Sequence, residues 1–347
     1  MPVRAMFRIA TSVLMLATLQ AGAAPKESYK YFKIGNSADL STKTVPGFAL
    51  MGGGKDQDAA FQWMCKKSGG GDFLVIRASG SADYNEYIAG LCHQNSVATL
   101  VIPSREAAMD PFVATTIRNA EALFIAGGDQ ANYVRNWQDT PVQNAINELI
   151  QRGVPVGGTS AGLAVLGEFS YSALNDANIK SNLDSRQTLL DPYNERVTIT
   201  HNFIKVDLLR RTITDTHFAA RDRLGRLLGF MARIVQDKLA DDVRGIGVDE
   251  KSVALLEADG SVSVVGPGSG VYFIHLTQKP EVCTKGMPLK SSGITVYKVA
   301  PGGTFNVGSW EGAGGTAFDL QVDEGAVRST AKDESPYGSS LQTSKAN

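Results

Sequence analysis

Between residues 46 and 160, short apolar runs alternate with amphipathic segments of helical length. The apolar runs predict strands at 48–51, 73–77, 98–102, 121–126 and 155–156. The segments between them predict helices at 58–67, 84–92, 111–119 and 142–152. Strands that are apolar nearly throughout are typical of a parallel sheet buried on both faces. The pattern therefore predicts an α/β fold, a three-layer sandwich around a mostly parallel sheet.

After residue 169 the alternation of apolar strands and amphipathic helices ends. A polar stretch at 175–195 is interpreted as a surface insertion, and a strand at 197–204 and a long helix at 219–237 follow. Short runs separated by turn signals then predict antiparallel strands that continue the main sheet, at 245–248, 253–257, 262–265, 271–275, 294–299 and 305–307. Residues 46–326 thus form one predicted domain, preceded by a lead at 25–45 and followed by a polar, disordered tail at 327–347.

The first 24 residues have the three regions of a secretory signal peptide. Arg4 and Arg8 precede the apolar run 9–19, and the small residues 21–23 follow it. The run is shorter than the roughly 20 residues that a membrane-spanning helix needs, although an uncleaved anchor is the alternative. We expect a mature protein that is outside the membrane and either periplasmic or secreted.

Charge and cysteine content restrict the partners. A formal net charge of −1 gives no field that would attract nucleic acid or an anionic membrane, so a peptide or another small molecule is the expected ligand. In an exported protein, three cysteines allow one disulfide, and Cys65 and Cys92 lie on neighbouring predicted helices. Their pairing stays open at this point. Without a C-x-x-C pair or an H-E-x-x-H motif, no metal is expected.

The segment Gly158-Thr159-Ser160-Ala161-Gly162 lies between a predicted strand and a helical stretch at 163–169. In this context a G-x-S-x-G pattern forms a sharp turn that exposes the serine hydroxyl at the edge of the sheet. Ser160 is therefore the candidate nucleophile, whereas a simple glycine-rich turn is the alternative.

A serine nucleophile needs a base and a group that orients the base. Of the four histidines, His217 is favoured because it ends a polar turn before a long helix, while His201 remains possible. Glu250, at the end of a short strand, is the candidate third member, and Asp249 and Asp215 compete with it. The amide groups of Gly128 and Ala161 are the candidate oxyanion hole.

Four separated motifs occur together in this chain: Gly127-Gly128-Asp129-Gln130, Gly158 to Gly162, Asp215-Thr216-His217-Phe218 with its following arginines, and Gly245 to Glu250. In this order the chain resembles the cyanophycinase and aspartyl dipeptidase family of serine peptidases, over roughly residues 47–307. The resemblance implies a fold shared with class I glutamine amidotransferases, a homodimer without a cofactor, and Ser160, His217 and Glu250 as nucleophile, base and third member.

The same resemblance suggests substrate contacts. Gln130, Asp215 and Thr216 are candidates, although the family usually has glutamine where this chain has Thr216. Cations near a helix start oppose the helix dipole, so Arg221, Arg223 and Arg226 are also candidate contacts for a substrate carboxylate. Asp56, after the turn Gly52-Gly53-Gly54, is expected at the same edge of the sheet.

The resemblance predicts hydrolysis of aspartyl-linked peptides. Cyanophycinases release β-aspartyl-arginine dipeptides from a polymer that has a polyaspartate backbone and arginine branches, and this polymer is the expected substrate. One alternative is an α-aspartyl dipeptidase or a small-peptide amidase with the same fold. Another is a periplasmic protein that binds such a ligand without cleaving it.

Overall fold

A computed structural model describes Met1 and residues 28–175 and 183–338. The predicted signal peptide, apart from Met1, lies outside the described residues. Within the described ranges, no helix is both long and apolar enough to cross a bilayer.

The described residues form one mixed sheet with helices packed against it. Its strands are β1 (Lys30–Gly35), β2 (Gly47–Met51), β3 (Asp72–Arg77), β4 (Ser96–Val101), β5 (Ala122–Ile125), β6 (Val156–Thr159), β7 (Phe169–Tyr171), β8 (Ile199–His201), β9 (Thr212–Asp215), β10 (Val243–Val248), β11 (Val253–Glu257), β12 (Ser261–Val265), β13 (Val271–Leu276), β14 (Ser291–Asn306), β15 (Glu311–Asp323) and β16 (Ala326–Ser329). The helices are α1 (Asp58–Lys67), α2 (Asp83–Leu91), α3 (Arg105–Ala108), α4 (Pro111–Arg118), α5 (Gln130–Trp137), α6 (Pro141–Gln151), α7 (Ala161–Ala164), α8 (Ser185–Leu190) and α9 (Leu224–Gln236), with a 3₁₀ turn at Asp207–Leu209.

Strand β3 shows why the first half of the chain forms three layers. Successive side chains of a strand point to opposite faces of the sheet. Phe73 and Val75 pack in a cluster with residues of α1 and α2, such as Phe61. Leu74 and Ile76 pack in another cluster, which contains residues of α4 and α6. Both faces are therefore covered, and the predicted α/β sandwich is confirmed.

The strand order is β1-β4-β3-β5-β6-β2-β11-β12-β14-β13-β10-β9-β7-β8, with β15 added to β14 and β16 to β15. Pairs from β4 to β2 are parallel, and β11 pairs antiparallel with β2. The C-terminal strands thus continue the main sheet, as the sequence predicted. Strand β9 is parallel to β10 and carries Asp215 at its end.

Several sequence-based boundaries were wrong because tertiary contacts override local patterns. The N-terminal lead contains β1, which pairs with β4. The helix expected at 163–169 is only α7, because Phe169–Tyr171 pairs with β8 and β9 instead. The insertion at 175–195 contains α8, which packs against α9, while its residues 176–182 lie outside the described ranges.

The tail expected to be disordered from residue 327 is ordered as far as residue 338. Residues Ala326–Ser329 form β16. Further along, the Tyr337 hydroxyl donates a hydrogen bond to Asp222 Oδ1 (2.7 Å) and accepts one from the Leu224 amide (3.0 Å). The polar composition of this segment gave no sign of these contacts in the sequence. Residues 339–347 lie outside the described ranges.

Cys65 in α1 and Cys92 after α2 form a disulfide. The bond joins two helices on one face of the sheet, and Cys283 is a buried free thiol. The pairing that the sequence left open is therefore present in the structure.

We expect the disulfide to stabilise the fold. For a sequence separation of 27 residues, loop closure in the unfolded chain gives a contribution of about 3–4 kcal/mol to the free energy of unfolding. Chemical denaturation with and without a reductant measures it. The reductant should destabilise the natural protein but not the double variant Cys65→Ala/Cys92→Ala; equal sensitivity of the two would contradict the prediction.

Candidate active site

Ser160 lies in the sharp turn between β6 and α7. Its backbone has φ 51° and ψ −117°, a conformation that is costly for a residue with a side chain. Two glycines allow the turn: a Cβ at Gly162 would lie 2.0 Å from the Ile125 carbonyl oxygen, and one at Gly158 would lie 2.5 Å from Gly162. The two glycines of the G-x-S-x-G pattern therefore let α7 pack closely against the neighbouring strands, in the sharp strand-to-helix turn that the sequence predicted.

Ser160, His217 and Glu250 form one chain of hydrogen bonds. Ser160 Oγ is 2.8 Å from His217 Nε2, and His217 Nδ1 is 2.6 Å from Glu250 Oε1. A carboxylate can only accept, so Nδ1–H donates to Glu250 and Nε2 is left to accept from the serine hydroxyl. This is the tautomer that a general base needs.

The turn that follows β2 holds all three segments through its backbone. The Met51 carbonyl accepts from the Ser160 amide (3.2 Å), and the Gly52 carbonyl accepts from the His217 amide (2.7 Å). The Gly53 carbonyl accepts from the amide of Lys251, next to Glu250 (2.9 Å). Three consecutive carbonyl groups thus fix the three candidate catalytic residues relative to one another.

Burial lowers the pKa of His217, and the positive charges of Arg221 and Arg223 lower it further. The hydrogen bond to Glu250 acts in the opposite direction. That same bond, with the nearby Arg221, holds the pKa of Glu250 below its ordinary value. At neutral pH the imidazole is therefore neutral and able to take a proton, while Glu250 is ionised.

The competing acids have other partners. Asp249 accepts from the amides of Ala219 (3.0 Å) and Ala220 (2.9 Å) and from the Ser269 hydroxyl, and so holds the loop after His217. This loop delays the helix expected at 219–237, so that α9 begins only at Leu224. Of the three carboxylates considered from the sequence, Glu250 is the one that contacts His217.

Ser160 and His217 open into a cavity of about 450 Å³. Glycines of the two turns after β2 and β5 form part of its wall. The other lining side chains are Asp56, Arg77, Tyr84, Thr159 and Arg221. Gly53 must be a glycine here, because it has φ +93° and a Cβ would lie 2.5 Å from the His217 ring.

Three of the predicted substrate contacts are buried away from this cavity. Asp215 and Arg226 form a two-pronged ion pair, with distances of 2.7 Å and 2.5 Å, and both are 3% exposed. Thr216 is 2% exposed, and its Oγ1 accepts from Arg223 Nη1 (3.2 Å). These polar side chains satisfy one another, which the sequence could not show, so the structure does not bring them to the cavity wall where they were expected.

The two other arginines differ from each other. Arg223 is buried, and burial together with the neighbouring Arg226 lowers its pKa to about 10. Arg221, which the sequence favoured least, has a side chain that is 45% exposed, lines the cavity and lies 3.5 Å from Glu250. Of the three arginines predicted from the sequence, Arg221 is therefore the one that a ligand in the cavity can reach.

Gly128, Gln130 and Asp56 lie where the sequence predicted, at the carboxyl edge of the sheet. Gly128 and Asp56 line the cavity, and Gln130 is the first residue of α5 beside it. Ala161 directly follows Ser160. The roles of Gly128 and Ala161 as oxyanion donors and of Gln130 as a substrate contact stay predictions.

Arg77, Tyr84 and Thr159 were missed. Arg77 ends β3 and Thr159 ends β6, so both lie at the carboxyl ends of parallel strands, where ligands bind in such sheets. A polar residue that ends an apolar strand was the available signal. Tyr84 lies in the first turn of α2, and the sequence gave no comparable sign of its position.

Comparisons with known proteins show which proteins this chain resembles. Residues 49–190 match the model of peptidase family S51. A cyanophycinase from Synechococcus elongatus is 27% identical over 232 residues, which are 63% of this chain and 65% of that protein. One from Trichormus variabilis is 31% identical over 174 residues, 50% of this chain and 51% of that protein. The matched part thus spans between half and two thirds of these relatives.

Solved structures with low similarity include a peptidase from an acI-B1 actinobacterium, with 18% identity, a TM-score of 0.49 and coverage of 76% of this chain and 98% of that one. A putative peptidase E protein from Listeria monocytogenes has 15% identity, a TM-score of 0.39 and coverage of 64% and 99%.

Part of the chain is therefore similar to peptidase family S51 and to cyanophycinases, and this similarity supports a serine peptidase. The matched segment includes Ser160 but ends before His217 and Glu250. The grouping of these two with Ser160 therefore rests on the geometry.

We expect the Asp215–Arg226 pair to act on stability. Arg226→Met leaves the buried carboxylate with Arg223, at 3.7 Å, as its remaining cation and with the Thr216 amide as a donor, and should lower the free energy of unfolding by about 3–5 kcal/mol. Asp215→Asn/Arg226→Met removes both charges and should recover part of the loss. Chemical denaturation of the three proteins measures this. A single variant as stable as the natural protein would contradict the buried pairing.

Arg221 should set the acid limb of the pH profile. Arg221→Gln removes one of the cations that lower the pKa of His217, so this pKa rises and activity is lost at a higher pH than in the natural protein. Because the side chain is 45% exposed, solvent limits the shift to less than about one pH unit. The pH dependence of kcat/KM measures it, with Arg118→Gln, an exposed cation paired with Glu148, as control. A shift to lower pH would exclude this electrostatic role.

Proposed function

We propose that the protein is a serine peptidase that hydrolyses aspartyl-linked peptides through an acyl-enzyme on Ser160. The observation that carries the proposal is the hydrogen-bonded chain from Ser160 through His217 to Glu250. A binding protein without catalysis would have no need for this chain. The match of residues 49–190 to peptidase family S51 supports the same class of reaction.

In the proposed mechanism each residue of the site has one step. His217 Nε2 takes the proton of the Ser160 hydroxyl as Oγ attacks the substrate carbonyl, and Glu250 stabilises the imidazolium that forms. The amides of Gly128 and Ala161 stabilise the oxyanion. His217 then gives the proton to the leaving amine, the acyl-enzyme forms, and a water activated by the same imidazole releases the acid and frees Ser160.

Cyanophycin is the proposed substrate, and β-aspartyl-arginine dipeptides are the proposed products. The named activity of the relatives supports this choice. Thr216 no longer argues against it directly, because its side chain is buried and contacts Arg223 rather than the cavity. An α-aspartyl dipeptidase or small-peptide amidase is the alternative within the same reaction class.

We also propose that the protein is exported to the periplasm or the medium. The Cys65–Cys92 disulfide supports an oxidising compartment, since such bonds are rare in the reducing cytosol. The sequence of the first 24 residues is the other support. The family resemblance supports a homodimer.

The test is the release of β-aspartyl-arginine from purified cyanophycin by the protein without residues 1–24. We expect release by the natural protein and none above background by Ser160→Ala, because loss of a nucleophile removes about a million-fold of rate. Glu250→Gln should lower kcat by about ten-thousand-fold, since an amide cannot hold the required tautomer. Chromatography of the released dipeptide measures the rate of release by each of the three proteins.

Two other results would each decide against part of the proposal. If Ser160→Ala retained a tenth of the activity, Ser160 would not be the nucleophile. If the folded natural protein released nothing, α-aspartyl dipeptides and a serine-reactive fluorophosphonate would be tried next. Labelling without cyanophycin cleavage would move the substrate to the alternative, and no labelling would indicate a protein that only binds.

A further inference from the structure

Two oppositely charged side chains of the cavity have polar atoms that the protein leaves unsatisfied. Asp56 Oδ2 accepts from the Tyr84 hydroxyl (2.5 Å), but Asp56 Oδ1 is buried without a partner among the described residues. Arg77 Nη1 donates to the Ser81 carbonyl (3.1 Å), whereas its buried Nε has no partner there. A carboxylate and a guanidinium are thus each half satisfied in the same cavity.

Such atoms are uncommon in folded proteins, because a buried polar atom without a partner costs about 1–3 kcal/mol and more when it is charged. In the part of the chain that the structure describes, seven buried side-chain atoms lack a partner. Three of the seven are Asp56 Oδ1, Arg77 Nε and Thr159 Oγ1, and all three residues line the cavity beside Ser160. This concentration indicates atoms that are reserved for a ligand.

The surrounding packing holds both charges in place. The Tyr84 ring, which anchors Asp56, packs against Phe61 and Phe124, with centroid distances of 6.0 Å and 5.5 Å. The Arg77 guanidinium lies 5.9 Å from the centre of the same ring and close to Gly80, where a Cβ would lie 2.5 Å from it. The two groups are therefore fixed before a ligand arrives, which lowers the entropy cost of binding.

The other cation of the cavity wall has a different task. Arg221 lies 3.5 Å from Glu250, so its charge is directed at the carboxylate that orients His217. Asp56 and Arg77 are left as one free anion and one free cation, which together match a ligand with one charge of each sign.

We propose that Asp56 and Arg77 form a dipolar subsite that selects a substrate unit carrying both a cation and a free carboxylate. Asp56 Oδ1 accepts from the cation, and Arg77 Nε donates to the carboxylate. The inference rests on the proposed function, in which the arginine branch of cyanophycin supplies a guanidinium and an α-carboxylate. The subsite makes Asp56 and Arg77 specificity-determining residues for the reaction at Ser160.

The test uses three synthetic oligomers of β-aspartyl-arginine. One is unmodified, one has citrulline in place of arginine, and one has argininamide. Citrulline removes the positive charge with almost no change in shape, and argininamide removes the negative charge. The measured quantity is the ratio of kcat/KM for the unmodified oligomer to that for each analogue.

The natural protein should prefer the unmodified oligomer over each analogue by roughly tenfold to a hundredfold, the range for hydrogen bonds to charged groups. Asp56→Asn should abolish the preference over citrulline and keep the preference over argininamide. Arg77→Gln should do the reverse. Tyr84→Phe, which removes the hydroxyl that holds Asp56, should reduce the citrulline ratio partly and serves as a second variant should Asp56→Asn fold poorly.

Matched controls separate the subsite from a general loss of charge. Asp58 accepts from the Tyr87 hydroxyl (2.5 Å) as Asp56 does from Tyr84, but it is exposed, so Asp58→Asn should leave both ratios unchanged. Arg105, an exposed arginine bonded to the Gln138 and Asp139 carbonyls, gives the control Arg105→Gln.

The outcomes distinguish this inference from the proposed function. Unchanged ratios in both subsite variants, with Ser160 still labelled by a fluorophosphonate and the oligomer still cleaved, would overturn the subsite alone. A natural protein that cleaves the citrulline oligomer as fast as the arginine oligomer would do the same. Failure of the folded natural protein to label or to cleave any oligomer would overturn the proposed function.

Discussion

Three consecutive carbonyl groups, those of Met51 at the end of β2 and of Gly52 and Gly53 in the turn after it, hold the segments that carry Ser160, His217 and Glu250. These segments come from the end of β6 and from the ends of β9 and β10, two neighbouring strands that lie far from β6 in the strand order. Strand β2 lies between the parallel half and the antiparallel half of the sheet. The position of one turn at this junction therefore decides whether nucleophile, base and acid can meet.

This arrangement also explains why strained backbone persists here. Ser160 has φ 51° and His217 has φ 46°, and such conformations cost on the order of 1–3 kcal/mol each. Each strained residue donates its amide to one of these carbonyl groups, Ser160 to that of Met51 and His217 to that of Gly52. A Cβ at Gly52 would lie 2.0 Å from the Asp249 carbonyl oxygen. Only glycine therefore lets the turn pass close enough to hold the catalytic segments.

The sequence predicted the parts of this molecule that depend on local patterns. Apolar periodicity located the strands from β2 to β6, and the context of Ser160 identified its turn. Burial of polar side chains could not be predicted in the same way. Asp215, Thr216 and Arg226 looked like free ligand contacts because the chain gives no sign that β9 and α9 pack together and pair them. Arg77 was missed for the opposite reason, since its strand looked wholly structural.

The buried charges behind the site connect stability to catalysis. Asp215 and Arg226 join β9 to α9, and Arg223 contacts Thr216 directly beside His217. Together with Arg221, Arg223 lowers the pKa of His217. The motif around His217 thus places Arg226 against a carboxylate, while Arg223 from the buried side and Arg221 from the cavity wall both act electrostatically on the base. Because the Thr216 side chain is buried and contacts Arg223, which lowers the pKa of His217, a substitution at Thr216 is expected to act on the base.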